Sequence, residues 1–144
     1  MRAGFLIGRI VLGLYYLQAG IMGFFKLDQL AGYAAAKGTP AAMPAVFIAH
    51  ALLVIAGFCI LTGYKPYAAV WALILFLIPV TLIIHNFWAV PQAQRMSEMV
   101  NFTKNFALLG SALMFLAIPR PWPYSIESVM LRRRIGGTRE PLPA

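Results

Sequence analysis

Polar and apolar positions fall along this chain in long blocks, not in a short period. Four apolar runs stand out, at about residues 5–25, 45–61, 67–84 and 102–118. A helix rises ~1.5 Å per residue and the hydrocarbon core of a bilayer is ~30 Å thick, so runs of this length read as transmembrane helices. The first run is longer than the core of a signal peptide and contains Arg9, so it reads as a retained span. The fourth covers only ~25 Å, enough if Asn101 extends it. Pro79 lies inside the third run and cannot donate to the carbonyl of Leu75, which predicts a kink. The pattern predicts an all-α, integral membrane four-helix bundle.

The blocks between the runs have their own logic. In residues 26–44, Asp28 can cap a helix, Leu27, Leu30, Ala31 and Ala34 form an apolar stripe, and Gly38 can stop it. A short helix on the membrane surface is expected there. Residues 62–66 read as a tight turn and residues 92–100 as a polar linker. Pro119, Pro121 and Pro123 end the last run. Residues 125–134 can form a second surface helix, with Ile126, Val129 and Met130 towards lipid and Arg132, Arg133 and Arg134 among headgroups. One domain over residues 1–134 is expected, followed by a disordered tail at 135–144. Gly4 and Gly8 have the spacing of a close-packing pair.

Composition agrees with the blocks. Hydrophobic residues make up 61% of the 144 and charged residues 11%, less than half of the ~25% usual in soluble domains. The net charge of +8 collects at the ends of apolar runs. That distribution favours anionic lipid as the partner over nucleic acid, for which no recognition motif is present. The single Cys59 excludes an internal disulfide and a paired-cysteine redox motif.

Four spans put both termini on one side. That side collects Arg2, Arg9, Lys65, Arg120, Arg132, Arg133, Arg134 and Arg139; the other collects Lys26, Lys37, Arg95 and Lys104. The positive-inside rule then places both termini inside. Depth follows from residue count. Gln18 lies ~10 Å below the outer surface, Tyr15 near the midplane and His50 ~8 Å deep, while His85, Lys104 and Asn105 sit at the rim. Asn101, Lys104 and Asn105 share one helix face. Tyr15, Gln18, Lys26, His50, His85, Asn86, Asn101, Lys104 and Asn105 thus occupy the same outer third. Polar groups inside a bilayer face the bundle interior or a water-filled cavity, so an outward-facing polar pocket is the expected ligand site.

The chemistry of that set excludes more than it identifies. No paired carboxylates, Ser-His-Asp set, phosphate loop or dinucleotide fingerprint is present. His50 and His85 lack further ligands, because Glu98 falls in the stretch read as a linker outside the membrane, so no metal is expected. His50 can equally be a hydrogen-bonded core histidine. Lys104 can snorkel, hold an anion or take part in proton transfer. Arg9 either snorkels or pairs with a carbonyl in the bundle. Trp88 and Trp122 read as interfacial anchors at opposite faces, and Trp71 as another near the inner rim.

The stretch His85-Asn-Phe-Trp88, followed by Asn101-Phe-Thr-Lys104-Asn105-Phe-Ala-Leu-Leu-Gly110, resembles the DoxX family of small four-helix membrane proteins. Arg9, Gly13, Gly20 and Lys26, and the segment Lys37-Gly38-Thr39-Pro40, resemble it too, so that the likeness covers most of residues 9–127. The resemblance implies a bacterial inner-membrane protein. It also implies a link to redox chemistry, since relatives occur as membrane subunits of thiosulfate:quinone oxidoreductase, while others are associated with oxidative-stress complexes. One departure stands out. Many relatives carry a carboxylate in the second helix where this chain has Leu53, with His50 a turn earlier, so a proton relay through that helix is not expected.

Two functions remain open on this reading. One is a redox-linked membrane subunit that binds a quinone or a small sulfur anion, has no built-in cofactor and works with a soluble or membrane redox partner. The other is a non-catalytic scaffold or assembly partner whose polar cluster is structural. A homo-oligomer is compatible with both, and a small transporter would require one.

Overall fold

The computed structural model describes residues 2–137, with side chains at residues 3–134. Six α-helices follow in order: α1 (Arg2–Phe24), α2 (Leu27–Ala36), α3 (Ala42–Thr62), α4 (Pro66–Pro79), α5 (Gln92–Met114) and α6 (Ile126–Gly137). Four stretches are long and apolar enough to cross a membrane: Ala3–Phe24, Ala42–Thr62, Pro66–Ala89 and Gln92–Ala117. The two surface helices expected in the first connection and near the C-terminus are α2 and α6. Arg139 and the tail from residue 138 onwards lie outside the described residues.

Two boundaries differ from the sequence reading. Residues 92–100 are not a linker; they are the first turns of α5. Gln92, Gln94, Arg95 and Glu98 are adequate helix formers, and no Gly or Pro interrupts them after Pro91. In the third span the α-helix ends at Pro79, and the chain beyond it widens into a π-helical turn, Val80–Ile84. The His85 N–H closes that turn on the Val80 carbonyl at 3.2 Å.

Small residues set the packing. On α1, Gly13 abuts Leu61 and Gly20 abuts Val54, while Gly57 of α3 fits against the backbone of Leu17. Without Cβ atoms the two helices approach closely, which is the usual basis of association in lipid. The core continues from Tyr16 and Ala56 through Ile60, Val70, Leu73 and Leu77. Ile7, Val11, Phe58, Trp71, Leu75 and Met114 point outwards, as lipid-facing residues should. The spans form a row, α1 to α3 to α4 to α5. Among the described residues, α1 and α5 at its ends do not pack closely backbone to backbone.

The C-terminal segment packs against one end of α1 and α5. Trp122 is fully buried, contrary to its reading as an interfacial anchor. Its indole meets Phe5 edge-on, with ring centroids 5.2 Å apart, and lies 5.1 Å from Phe115. Arg9 fastens the plug: its guanidinium donates to the carbonyls of Pro123 (3.0 Å) and Tyr124 (2.9 Å). The proline-rich segment leaves those carbonyls outside any helix, so a buried cation finds acceptors there rather than a carboxylate. On the water side of the plug, Arg120 pairs with Glu127 in the first turn of α6. The hydrogen bond from Arg120 holds the Glu127 carboxyl below its ordinary range.

Candidate functional site

Near the opposite, loop-bearing face, the row encloses a polar cavity of about 110 Å³. Tyr15, Tyr16, His85, Lys104 and Asn105 supply its polar lining, above an apolar floor that includes Leu53 and Leu77. Each reaches it for a local reason. Tyr15 and Tyr16 are adjacent on α1, their rings stacked edge to face at 5.3 Å. His85 ends the π turn. Lys104 and Asn105 lie one to two turns beyond Glu98 on α5.

One of these groups is buried and unpartnered, and a second makes no hydrogen bond. The Tyr16 hydroxyl is buried and makes no hydrogen bond, while the nearby Ser111 hydroxyl donates to the Leu108 carbonyl at 2.7 Å. Asn105 is buried, and its side chain makes no hydrogen bond among the described residues. A buried polar group without a partner costs about 1–3 kcal/mol. Such a hydroxyl, beside an amide that makes no hydrogen bond of its own, suits a ligand or ordered water rather than dry packing. Tyr15 and Lys104 are exposed at the rim, and the Lys104 ammonium donates to Asn101 Oδ1 at 3.0 Å.

The other expected site residues stand elsewhere. Asn86 and Asn101 act on lysines, Asn86 Oδ1 accepting from Lys37 at 3.4 Å. Gln18 and Lys26 are exposed and do not line the cavity. His50 is also outside it: Nδ1 lies 2.8 Å from the Val46 carbonyl, and the ring fills the notch left by Gly23 and meets Phe24 edge-on at 6.1 Å. Arg132, Arg133 and Arg134 are exposed on α6. No metal-binding group of His, Cys, Asp or Glu exists among the described residues.

The sequence reading missed one residue that matters. Glu98 was placed in a linker outside the membrane; it is buried, and it gathers a network. Its Oε2 lies 2.8 Å from His85 Nδ1, and its Oε1 accepts from the Tyr33 hydroxyl at 2.8 Å and lies 3.5 Å from the Lys37 ammonium. Starting α5 at Pro91 would have revealed it, since Glu98, Asn101 and Asn105 then recur at i, i+3 and i+7 on one face. The Tyr33 phenol is pushed up to about 12 by burial and then by the Glu98 carboxylate. A raised folded value means the stabilisation is present below the unfolded value near 10 and is lost as pH climbs through about 12. Alkaline melting curves should therefore steepen between about pH 10 and 12 in the wild type, and Tyr33→Phe should flatten them.

On the far side of Phe76 and Val80, which line both spaces, runs an apolar groove of about 260 Å³. Ala45, Ala49 and Leu52 of α3 face Leu75, Pro79 and Ile83 across it. Thr39 stands at the groove with its hydroxyl buried and unpartnered.

The comparisons with known proteins bear on this geometry. The DoxX family model matches residues 4–86. A relative in Escherichia coli (strain K12), described as inner membrane protein YphA, is 30% identical over 124 residues, covering 85% of this chain and 86% of the relative. No solved structure matches the chain.

Proposed function

Because this chain belongs to the DoxX family of membrane proteins, we propose that it is a redox-linked subunit of the bacterial inner membrane that binds a quinone headgroup or small sulfur anion in the polar cavity. The observation that carries this reading is the buried, unpartnered Tyr16 hydroxyl on a cavity that also offers His85, Lys104 and Asn105. Hydroxyl, amide and ammonium donors converging on one space suit ligand oxygens. The charge bias of the sequence puts this face outside.

Of the two ligands, the surroundings favour the quinone. The apolar groove next to the cavity suits a hydrocarbon tail. A sulfur anion would not use it. In this reading electrons pass to or from a partner protein. The scaffold reading draws on a different observation: the Glu98 network is fully paired and ties α2 to α5.

One substitution separates the readings. Asn105→Leu in lipid nanodiscs should weaken binding of the tail-less ubiquinone headgroup, measured by calorimetry, about tenfold or more while leaving the melting temperature close to wild type. Thiosulfate is the second titrant. Wild-type protein that binds neither, or an Asn105→Leu variant that melts early with no change in binding, sinks the ligand reading and leaves the scaffold.

A further inference from the structure

His85 joins the cavity to the Glu98 network, and that junction dictates which hydrogen-bonding role the imidazole offers a ligand. Its Nδ1 is 2.8 Å from Glu98 Oε2. A carboxylate only accepts, so Nδ1 must carry a hydrogen. In the neutral imidazole, Nε2 is then a bare acceptor, and it belongs to a residue that lines the cavity.

Glu98 is held to this task from three sides. Tyr33 donates to its other oxygen, Lys37 lies 3.5 Å from that same oxygen, and Lys37 keeps Asn86 as a further acceptor. These, with His85, are the charged or titratable groups facing it; Arg95, one turn earlier on α5, is exposed. The raised Tyr33 phenol keeps its proton and stays a donor. The carboxylate has no free direction in which to turn away from the ring.

We infer that Glu98 is a specificity-determining residue: by fixing the His85 tautomer, it makes the cavity select the reduced, hydroxyl-bearing form of a quinone headgroup over the oxidised, carbonyl form. A hydroquinone O–H donates to His85 Nε2, and its oxygens accept from Tyr16, Asn105 or Lys104. The oxidised ring has only acceptors; at His85 it would set a carbonyl oxygen against a nitrogen lone pair. A site built for a hydrogen-bonding group rejects the analogue that lacks it, because its own buried group is left unpaired. The inference concerns binding alone and moves no electron. It rests on the quinone reading of the cavity and adds the redox form of the ligand.

The test is a pair of titrations in nanodiscs at one fixed pH. The probes are the tail-less ubiquinone headgroup and its hydroquinone, the latter kept reduced under anaerobic conditions. Wild type should bind the hydroquinone about tenfold more tightly, the ratio expected of one matched hydrogen bond against one lone-pair clash. Glu98→Gln can turn either its oxygen or its amide to Nδ1, so both tautomers become accessible and the ratio should fall below about threefold. Equal binding of the two forms by wild type overturns the inference and leaves the quinone reading standing; binding of neither overturns the quinone reading itself. A second measurement needs no variant. The chain has two histidines, so nitrogen NMR of histidine-labelled protein resolves both rings. His85 should show hydrogen on Nδ1 and a bare Nε2, and the opposite tautomer overturns the proposal.

Discussion

Gly57→Ala should strongly destabilise the bundle. The added Cβ would overlap the Leu17 backbone nitrogen and sit 2.8 Å from the Leu17 Cα and 2.9 Å from the Gly13 carbonyl oxygen. Those are backbone atoms, and no rotamer can move them aside. The only relief is to push α1 and α3 apart, which also loosens the Gly13–Leu61 and Gly20–Val54 contacts. Overpacking of this kind costs about 1–3 kcal/mol, and an unyielding backbone puts Gly57 at the upper end. The measurement is thermal unfolding in detergent, scored by loss of monodisperse protein. Gly4→Ala and Gly8→Ala are the controls. Nothing lies within 4 Å of a Cβ at either position, so each should be neutral, or stabilising by up to ~1 kcal/mol through helix propensity. A Gly57→Ala protein as stable as those controls would show that α1 and α3 are not in van der Waals register.

Arg9→Ala should release the plug at the terminal face. The guanidinium makes two charge-assisted hydrogen bonds, and hydrogen bonds to charged groups contribute about 1.5–3 kcal/mol each. Removal leaves the Pro123 and Tyr124 carbonyls without a donor, so a loss of about 3 kcal/mol is expected. Arg9→Lys should recover only part, since one ammonium does not reproduce the planar fork that spans two carbonyls. Trp122 is the reporter. In a Trp71→Phe, Trp88→Phe background its buried indole is the remaining tryptophan. Its emission should shift to the red in Arg9→Ala, and the segment after Ile118 should become open to protease. Unchanged emission and protection would mean that Phe5 and Phe115 hold the plug by themselves.

The two variants act at opposite ends of one problem. Polar side chains are scarce in this chain, and whether each is a cost or an asset depends on what the backbone brings beside it. Arg9 was readable as a residue that must snorkel or find carbonyls; which carbonyls depended on a fold-back of residues 119–125 that three prolines only suggested. His50 and His85 looked equivalent by depth. Gly23 makes room for the first beside its own helix, whereas the π turn carries the second to the cavity and to Glu98. Glu98 itself was hidden because hydropathy measures where lipid begins, while a helix can begin ten residues sooner if no breaker intervenes.

The sequence by itself determined the solvent, the number of spans, the helix break at Pro79, the two surface helices and the family resemblance. All of these follow from local quantities: run length, helix breakers, and residue types at fixed spacing. Tertiary structure alone decided which polar groups meet. It separated Gln18, Lys26 and His50 from the cavity, drew Tyr33, Lys37, His85 and Glu98 together from three elements, buried Trp122, and set Tyr16 of α1 and Asn105 of α5 on one cavity. Depth along a helix is one coordinate and can be counted. Rotation about the helix axis, and the order in which helices sit side by side, come from glycine notches and backbone fit between residues far apart in the chain, and no local pattern encodes those.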